Sequence, residues 1–365
     1  KTTPMISRAA HAPICGGPTV PARRAGRASA ATSVIRCASG PSARDLEGQT
    51  VVVVGLGLSG RSAALLAADR GAKVIGVDSR TNIESLEDDA RFADHRSSVA
   101  TQLGDHNRDT FLGAGKLVLS PGVPLTQEDV AAALAAGVQV TSELGFASEV
   151  MPSEVPMAAV TGTNGKSTVT TFTGQLLEAA GVPTFMGGNL GTPLSDAVLD
   201  LRGPSGAGRY GAAVVEVSSY QLELPGAFKP RAAVILNLTP DHLERHKTME
   251  VYGATKCRVF ANMPDGAVAV LPYGDDFLAG LAAQVPSVGR RAWLGALPGA
   301  VVSREGGARV ARLQLPGSED VVEVDLGGLR AVGRHNEENA AAAALLVLSL
   351  GLKARGVSAA ALTAG

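Results

Sequence analysis

Short apolar runs alternate with longer helical segments and glycine-rich turns along most of the chain. Continuous apolar runs of this kind are typical of parallel strands that are buried on both faces. The predicted strands lie at residues 51–54, 73–77, 117–120, 138–141, 155–160, 212–217 and 232–238. Their alternation with helices predicts an α/β fold with mostly parallel sheets.

The first predicted strand leads into a glycine-rich turn, Gly55-Leu-Gly-Leu-Ser-Gly60, and then into a helical segment at residues 61–70. Such a turn lets backbone amides at a helix N-terminus approach a pyrophosphate. The next strand runs into Asp78, where dinucleotide-binding enzymes hold a ribose hydroxyl. These features alone favour an NAD-dependent Rossmann enzyme, although many α/β proteins carry such a turn for packing. No catalytic domain for hydride transfer follows; the first domain ends near Pro152, and a second glycine loop comes next.

The second loop joins the strand at 155–160 to a helix that runs to about Ala180, and it reads Thr-Gly-Thr-Asn-Gly-Lys-Ser-Thr. Its amides can cradle phosphate oxygens, Lys166 can neutralise their charge, and a hydroxyl of Ser167 or Thr168 can ligate Mg²⁺. The strict Walker pattern requires glycine where this chain has Val160. The strand-to-helix context still predicts an ATP site, formed by Gly162, Thr163, Asn164, Gly165, Lys166, Ser167 and Thr168.

Two further charged residues belong to the strands that follow this loop. Glu216 lies among valines in the strand at 212–217, where an unpaired carboxylate is expensive to bury, so a cation is expected near it. His242 follows the strand at 232–238. Because ligands bind at the carboxyl ends of parallel strands, we expect Lys166, Glu216 and His242 to converge. The alternatives are a structural ion pair for Glu216 and an ordinary loop role for His242.

A lysine interrupts the apolar stripe of the helix predicted at residues 249–262. The stripe consists of Met249, Tyr252, Val259 and Phe260, and Lys256 lies at its centre. Burial should lower the pKa of Lys256 and favour the free amine, which can react with carbon dioxide to give a carbamate. A carbamate could ligate a second Mg²⁺ beside Glu216 and His242. Snorkelling of an ordinary lysine is the alternative.

The charge distribution separates the N-terminus from the rest. Residues 1–44 carry seven basic residues and no acidic one, which leaves 26 basic and 34 acidic residues in the remainder and argues against a nucleic-acid surface. The Ala-, Ser- and Pro-rich N-terminus predicts a disordered plastid transit peptide that is cleaved near Ala38, although an unaddressed tail is an alternative. No apolar run reaches the roughly 20 residues of a membrane span. Only Cys257 lies outside the predicted transit peptide, so a disulfide framework is not expected.

Five segments together resemble the Mur ligase family, and within it the branch that adds D-glutamate. They are TGTNGKST at 161–168, GGNLGTPL at 187–194, VVEVSSYQLE at 214–223, LNLTPDHLERH at 236–246, and K-x-R-V-F from Lys256. The alanine-adding relatives have a histidine in the phosphate loop, and the diaminopimelate or lysine adders differ after EVSS. The resemblance runs from about Leu46 to the end of the chain.

The resemblance implies a role for each domain. It predicts a UDP-sugar-binding Rossmann-like domain at 45–152, an ATP-binding central domain at 153–353, and a stub at 354–365 that leads to a missing third domain. Residues expected to bind the UDP moiety are Leu58, Ser59, Asp78, Ser79, Arg80, Ser120, Pro121 and Gly122. Asn189 and His242 should contact the muramoyl-alanine end. Further ATP contacts are expected from His335, Asn336 and Asn339, for which helix capping by asparagine is the plain alternative.

The resemblance also implies a reaction in two steps. ATP would phosphorylate the alanine carboxylate of UDP-N-acetylmuramoyl-L-alanine, and the amine of D-glutamate would then attack the acyl phosphate, with two Mg²⁺ ions and the Lys256 carbamate in the site. The expected ligands of the metal ions are Ser167, Thr168, Glu216, His242 and carbamylated Lys256. We expect a plastid stromal monomer without membrane or nucleic-acid partners. Without the third domain, the chain should bind the UDP-sugar, and ATP weakly, but not turn over.

Three other functions remain open on the sequence alone. A Rossmann dehydrogenase would bind NAD at Gly55–Gly60 and would not depend on ATP. A non-catalytic remnant would bind nucleotide or UDP-sugar without reaction. A folylpolyglutamate synthetase would share the phosphate loop, but it lacks a first domain of the UDP-binding type.

Overall fold

The computed structural model describes residues 44–203, 206, 208–286, 289–305, 307–331 and 333–352. The predicted transit peptide, apart from Arg44, and the predicted stub at 354–365 lie outside the described residues. Within the described ranges, no helix is long and apolar enough to cross a lipid bilayer.

The first part of the described chain forms a five-stranded parallel sheet in the order β3-β2-β1-β4-β5. The strand order reverses between β1 and β4, which places a ligand crevice at the carboxyl ends of these two strands. The strands are β1 (Thr50–Val54), β2 (Lys73–Asp78), β3 (Val99–Leu103), β4 (Lys116–Leu119) and β5 (Gln139–Ser142). The helices are α1 (Leu58–Asp69), α2 (Arg108–Leu112), α3 (Glu128–Ala135) and α4 (Glu143–Ser148).

The second part forms a nine-stranded mixed sheet in the order β14-β13-β12-β11-β10-β9-β6-β8-β7. Neighbouring strands are parallel from β7 across to β12, while β12, β13 and β14 are antiparallel. The parallel strands are β6 (Met157–Thr161), β7 (Thr184–Gly188), β8 (Ala212–Glu216), β9 (Ala232–Ile235), β10 (Val268–Pro272) and β11 (Arg290–Leu294). The antiparallel extension consists of β12 (Gly299–Glu305), β13 (Ala308–Gln314) and β14 (Val321–Asp325). The α/β prediction with mostly parallel sheets is therefore confirmed.

Six helices accompany the second sheet within the described residues. They are α5 (Lys166–Ala179), α6 (Leu194–Arg202), α7 (Leu243–His246), α8 (Met249–Cys257), α9 (Asp276–Ala282) and α10 (Arg334–Ser349). The predicted helix at 249–262 was too long, because α8 ends at Cys257 and the chain continues as a 3₁₀ turn at Arg258–Phe260. The first predicted helix was too short, since α1 already begins at Leu58 inside the glycine turn.

Helix α10 packs against α5 and against the strands β12 and β13. Its buried face is rich in small residues, Ala340 to Ala344, followed by Leu345 and Leu346. Small side chains let two helices approach closely, so the start of α10 is held against the loop that precedes α5. A Cβ atom on Gly165 would lie 3.0 Å from the Oδ1 atom of Asn339. The fold thus brings two distant predicted nucleotide segments together.

Candidate functional site

The first glycine loop is closed tightly on its own backbone. Gly55 has a φ of 87°, and the carbonyl oxygen of Gly55 accepts a hydrogen bond of 2.6 Å from the Ser120 hydroxyl. A Cβ atom on Gly60 would lie 1.8 Å from that same oxygen, so only glycine fits there. The loop between β1 and α1 is therefore fixed against the segment that follows β4.

Asp78 fixes the same loop from the other side. Its carboxylate accepts hydrogen bonds from the backbone amide of Leu56 (2.7 Å) and from the guanidinium of Arg80 (2.7 and 2.9 Å). The Arg80 guanidinium, with the amides of Arg80 and Leu56, holds the pKa of Asp78 well below its usual range. Asp78 thus remains a carboxylate that is already engaged by protein donors, and the ribose contact suggested by the Rossmann comparison is not needed to explain it.

The residues predicted to bind UDP share one edge of the first sheet. They follow β1, β2 and β4, whose carboxyl ends are adjacent. Leu58 is 59% exposed, and the side chains of Ser79 and Arg80 are also exposed. The set at this edge comprises Leu58, Ser59, Asp78, Ser79, Arg80, Ser120, Pro121 and Gly122. Their common position fits a ligand that lies across the switch point, and their contacts with UDP stay a prediction.

The second glycine loop precedes a helix of 14 residues, α5. Lys166 folds back on the loop, and its ammonium group donates to the carbonyl oxygens of Gly162 (3.1 Å) and Thr163 (2.8 Å). The turn depends on glycine, because Gly162 and Gly165 have φ values of 147° and 86°. A lysine at the N-terminus of a helix, after a glycine-rich turn, is suited to bind phosphate.

Asn237 holds the second loop in shape, a role that the sequence analysis missed. Its side-chain oxygen accepts hydrogen bonds from the amides of Thr163 (3.1 Å) and Asn164 (2.8 Å), and its amide group donates to the carbonyl of Asn164 (3.0 Å). Asn237 lies just after β9, within the LNLTPDH segment. The motif was therefore visible, but the pairing of two loops far apart in sequence was not.

Lys256 is buried beside the second loop, as its place in the helical stripe predicts. Its side chain is 2% exposed, and its ammonium group donates to the carbonyl of Gly162 (3.0 Å) and lies 4.7 Å from the centre of the Tyr252 ring. Burial, and then the nearby charge of Lys166, lower the pKa of Lys256 to about 7. A substantial fraction of Lys256 is therefore the free amine near neutral pH. Carbamylation itself stays a prediction.

Glu216 meets neutral donors. It is 1% exposed and accepts hydrogen bonds from the hydroxyl of Ser167 (2.7 Å) and the side-chain amide of Asn189 (3.2 Å). The alternative of a structural ion pair is not supported, because among the described residues the ion pairs do not include Glu216. Ser167 and Asn189 follow β6 and β7, so the carboxyl edge of the sheet assembles this cluster.

His242 lies at the same edge and contacts Tyr220. Its imidazole accepts from or donates to the hydroxyl of Tyr220 at 3.1 Å, and it is 44% exposed. Its φ of 52° is unusual for a residue other than glycine. The ring of His246 stacks on Tyr220 and contacts Tyr252 in a tilted arrangement, with centroid distances of 5.9 and 5.2 Å.

The hydroxyl of Tyr252 in turn lies 3.3 Å from the hydroxyl of Thr163. The structure thus joins His242 to the phosphate loop through these three rings. In the described contacts His242 does not touch Lys166, Glu216 or Lys256 directly, so their convergence around shared metal ions stays a prediction.

A pocket of about 350 Å³ adjoins the second loop. Asn237 and the start of α10 line it, including His335 and Asn339, and the walls also contain Pro272 and Leu294. Asn336 accepts a long hydrogen bond of 3.5 Å from Asn339. The N-cap of α10 is Gly333, so none of the three predicted residues occupies the N-cap position of this helix. The pocket borders the second loop through Asn237, and nucleotide binding by His335, Asn336 and Asn339 stays a prediction.

The donors near the second loop suit a magnesium ion that also binds phosphate. Oxygen atoms are the preferred ligands of Mg²⁺, which usually keeps several waters and takes few protein ligands. The hydroxyl of Ser167 and the carboxylate of Glu216 lie within hydrogen-bond distance of each other, and a role of Thr168 as a metal ligand stays a prediction. In the part of the chain that the structure describes, three or more His, Cys, Asp or Glu residues nowhere cluster as metal ligands. A site here would therefore rely on phosphate oxygens and water.

Comparisons with known proteins identify the family. The model of the Mur ligase middle domain matches residues 160–347, and that of the Mur ligase MurD-like N-terminal domain matches residues 49–142. The chain therefore belongs to the Mur ligase family, which confirms the resemblance found in the sequence.

Several curated relatives share one name, UDP-N-acetylmuramoylalanine--D-glutamate ligase. The protein from Anaeromyxobacter dehalogenans is 39% identical over 330 residues, with 87% of this chain and 67% of the relative covered. The protein from Pelotomaculum thermopropionicum is 40% identical over 326 residues, with 86% and 66% covered. The chain thus spans about two thirds of the length of these relatives.

Solved structures agree on the fold. The UDP-N-acetylmuramate:L-alanyl-gamma-D-glutamyl-meso-diaminopimelate ligase of Neisseria meningitides superimposes with a TM-score of 0.55 at 19% identity, covering 87% of this chain and 98% of that one. A murein peptide ligase from Psychrobacter arcticus gives 0.50, also at 19% identity, covering 87% and 68%. At this identity the likeness describes the fold alone.

Proposed function

We propose that this chain is the UDP-sugar-binding and ATP-binding part of a ligase that joins D-glutamate to UDP-N-acetylmuramoyl-L-alanine, a step of peptidoglycan precursor synthesis. The observation that carries the proposal is the second loop, where Lys166 and Lys256 both donate to the carbonyl of Gly162. Beside them, Ser167 and Asn189 hold the buried Glu216. Relatives that are 39–40% identical bear the name of this ligase.

In the proposed reaction, an oxygen of the alanine carboxylate attacks the γ-phosphorus of ATP, and ADP leaves. The amine of D-glutamate then attacks the acyl carbon, inorganic phosphate leaves with the bond electrons, and the amine loses a proton. Lys166 would move from the loop carbonyls to the phosphates and stabilise their charge. Mg²⁺ held by Ser167, Thr168 and Glu216 would neutralise phosphate charge. His242 and Asn189 would orient the muramoyl-alanine end, and His335, Asn336 and Asn339 the nucleotide.

We also propose that the amine of Lys256 reacts with carbon dioxide to form a carbamate and release a proton. The pKa of Lys256, about 7, supports this reaction because only the free amine is nucleophilic. The carbamate would place a negative charge beside the phosphate loop, where it could serve as a ligand of a second Mg²⁺ together with His242. Plastid targeting by residues 1–44 and a monomeric state remain proposals as well.

The experiment compares this chain with the protein extended over the remaining third of its relatives' length. Phosphate release from ATP is measured with UDP-N-acetylmuramoyl-L-alanine, D-glutamate or Mg²⁺ omitted in turn. We expect the extended protein to require all of them, and this chain to bind the UDP-sugar without sustained turnover. Full activity of this chain would contradict the expected need for a third domain. NAD binding without ATP dependence would contradict the ligase proposal altogether.

A further inference from the structure

Arg245 of α7 connects the two sheets at the edge that carries the candidate site. Its guanidinium forms a two-pronged ion pair with the carboxylate of Glu223, at 2.8 and 2.7 Å. The Nη2 atom of the same guanidinium also donates to the carbonyl oxygen of Val123 (3.0 Å), and Nη1 donates to that of Gly122 at 3.5 Å. Val123 and Gly122 follow β4 of the first sheet, whereas Arg245 and Glu223 belong to the second part of the chain. One side chain therefore bridges the predicted UDP segment and the central domain.

The face of the same guanidinium lies on an aromatic ring. The central carbon of Arg245 is 4.4 Å from the centre of the Tyr220 ring, a stacking contact that suits a planar cation. The hydroxyl of Tyr220 lies 3.1 Å from the Nδ1 atom of His242. Arg245 thus connects the predicted UDP segment to His242 through one intervening ring.

The surroundings of Arg245 leave it little freedom. Its side chain is 16% exposed and that of Glu223 is 13% exposed. Two-pronged pairing, two carbonyl acceptors and a stacked ring together define both the position and the plane of the guanidinium. The segment at 120–123 and the imidazole of His242 are therefore held at one separation.

The inference rests on the function proposed above, which gives this separation its importance. The ligand would have its diphosphate end at the segment 120–122 and its acid end at His242. A ligand that occupies two subsites gains affinity over either half only when the subsites are held at the matching distance.

We propose that Arg245 is a positioning residue that sets the span between the UDP subsite and His242. It would select ligands in which a nucleoside diphosphate and a carboxylate are separated by a sugar that carries a lactoyl-alanyl arm. Arg245 would act through the loop carbonyls and Tyr220, without touching the reacting atoms.

The test measures, by calorimetry on this chain, the dissociation constants of UDP and of UDP-N-acetylmuramoyl-L-alanine. The dissociation constant of UDP divided by that of UDP-N-acetylmuramoyl-L-alanine reports how much affinity the second subsite adds. In Arg245→Gln we expect this ratio to fall about 10-fold, while the constant for UDP alone changes less than about twofold. Arg245→Lys keeps a charge for Glu223 but cannot reach both carbonyls and the ring in one plane, so it should recover part of the ratio.

Arg258→Gln is the matched control. Arg258 donates to the backbone carbonyl of Glu223 at 2.7 Å, and its described hydrogen bond does not reach the first sheet. This variant should keep the wild-type ratio. Thermal unfolding of each variant confirms that it is folded, and if Arg245→Gln does not fold, Arg245→Lys carries the test.

The outcomes separate the two proposals. An unchanged ratio in a folded Arg245 variant, or an equal loss for UDP and for the whole ligand, would overturn the positioning role and leave the proposed function standing. If the wild-type chain binds neither UDP nor the UDP-sugar, the proposed function fails, and this inference fails with it.

Discussion

The molecule contains two glycine loops that join a buried strand to a helix, and they differ in what surrounds them. The first loop is fixed by a carboxylate, Asp78, and by the hydroxyl of Ser120. The second is surrounded by two lysines whose ammonium groups share the Gly162 carbonyl. The strand-loop-helix geometry is common to both, and it is typical of phosphate-binding loops without specifying a ligand. The charged side chains around each loop decide what it can bind.

Lys166→Ala should give the largest difference between the effects on the two loops, measured as ATP affinity and UDP affinity. Loss of a charged donor to the phosphates should lower the affinity of this chain for ATP about 100-fold, because charge-assisted hydrogen bonds contribute up to about 3 kcal/mol. The affinity for UDP should stay within about twofold. Calorimetric titration with each nucleotide measures both. Lys73→Ala, at the exposed start of β2, is the control, and a parallel fall in UDP affinity would show that the loops are not independent.

A second difference is the buried charge at the second loop, which Lys256→Met removes. The pKa of Lys256 is lowered from 10.5 to about 7, so between these pH values the unfolded chain binds more protons than the folded one. Wild-type stability should therefore rise with pH across this window. At pH 7 the methionine variant should be more stable by on the order of 2 kcal/mol, after subtraction of the lost hydrogen bond to Gly162.

The measurement is urea unfolding at several pH values in buffer free of bicarbonate. The advantage of the Lys256→Met variant should shrink as the pH approaches 10.5. A difference that does not depend on pH would mean that packing of the methionine, and not the removal of charge, accounts for it.

The smallest effect is expected in the first loop, from Gly60→Ala. The added Cβ would meet the backbone oxygen of Gly55, so the loop must shift, and stability should fall by about 1–2 kcal/mol with loss of UDP affinity. ATP affinity should not change. Gly280→Ala in α9 is the matched control, because its Cβ meets open space and should stabilise the helix slightly. Equal denaturation midpoints for the two variants would refute the steric argument.

The sequence predicts the elements whose evidence is local. Continuous apolar runs located β1, β2, β6, β8 and β9, because strands buried on both faces need no polar positions. The extension β12 to β14 was not predicted, because only Ala311, Leu313 and Val324 are buried in β13 and β14 and charged or amide residues interrupt their apolar runs. The 3₁₀ turn that ends α8 was also not predicted.

Some features of the candidate site were also predictable from local sequence, and others were not. The loop residues and the burial of Lys256 follow from motif and helical period. The clamp of Asn237 on residues 163 and 164, and the partners of Glu216, depend on which strands are neighbours in the sheet. Strand order is a property of the whole chain, and neither periodicity nor spacing contains it.

The fold of Lys166 back onto the carbonyls of Gly162 and Thr163 means that the phosphate loop already holds an internal cation before any nucleotide arrives. Measured nucleotide affinity is then the outcome of an exchange, in which phosphate oxygens replace two carbonyl acceptors. A ligand gains affinity from the ammonium group only to the extent that its phosphate oxygens bind this group more strongly than the two carbonyl oxygens do.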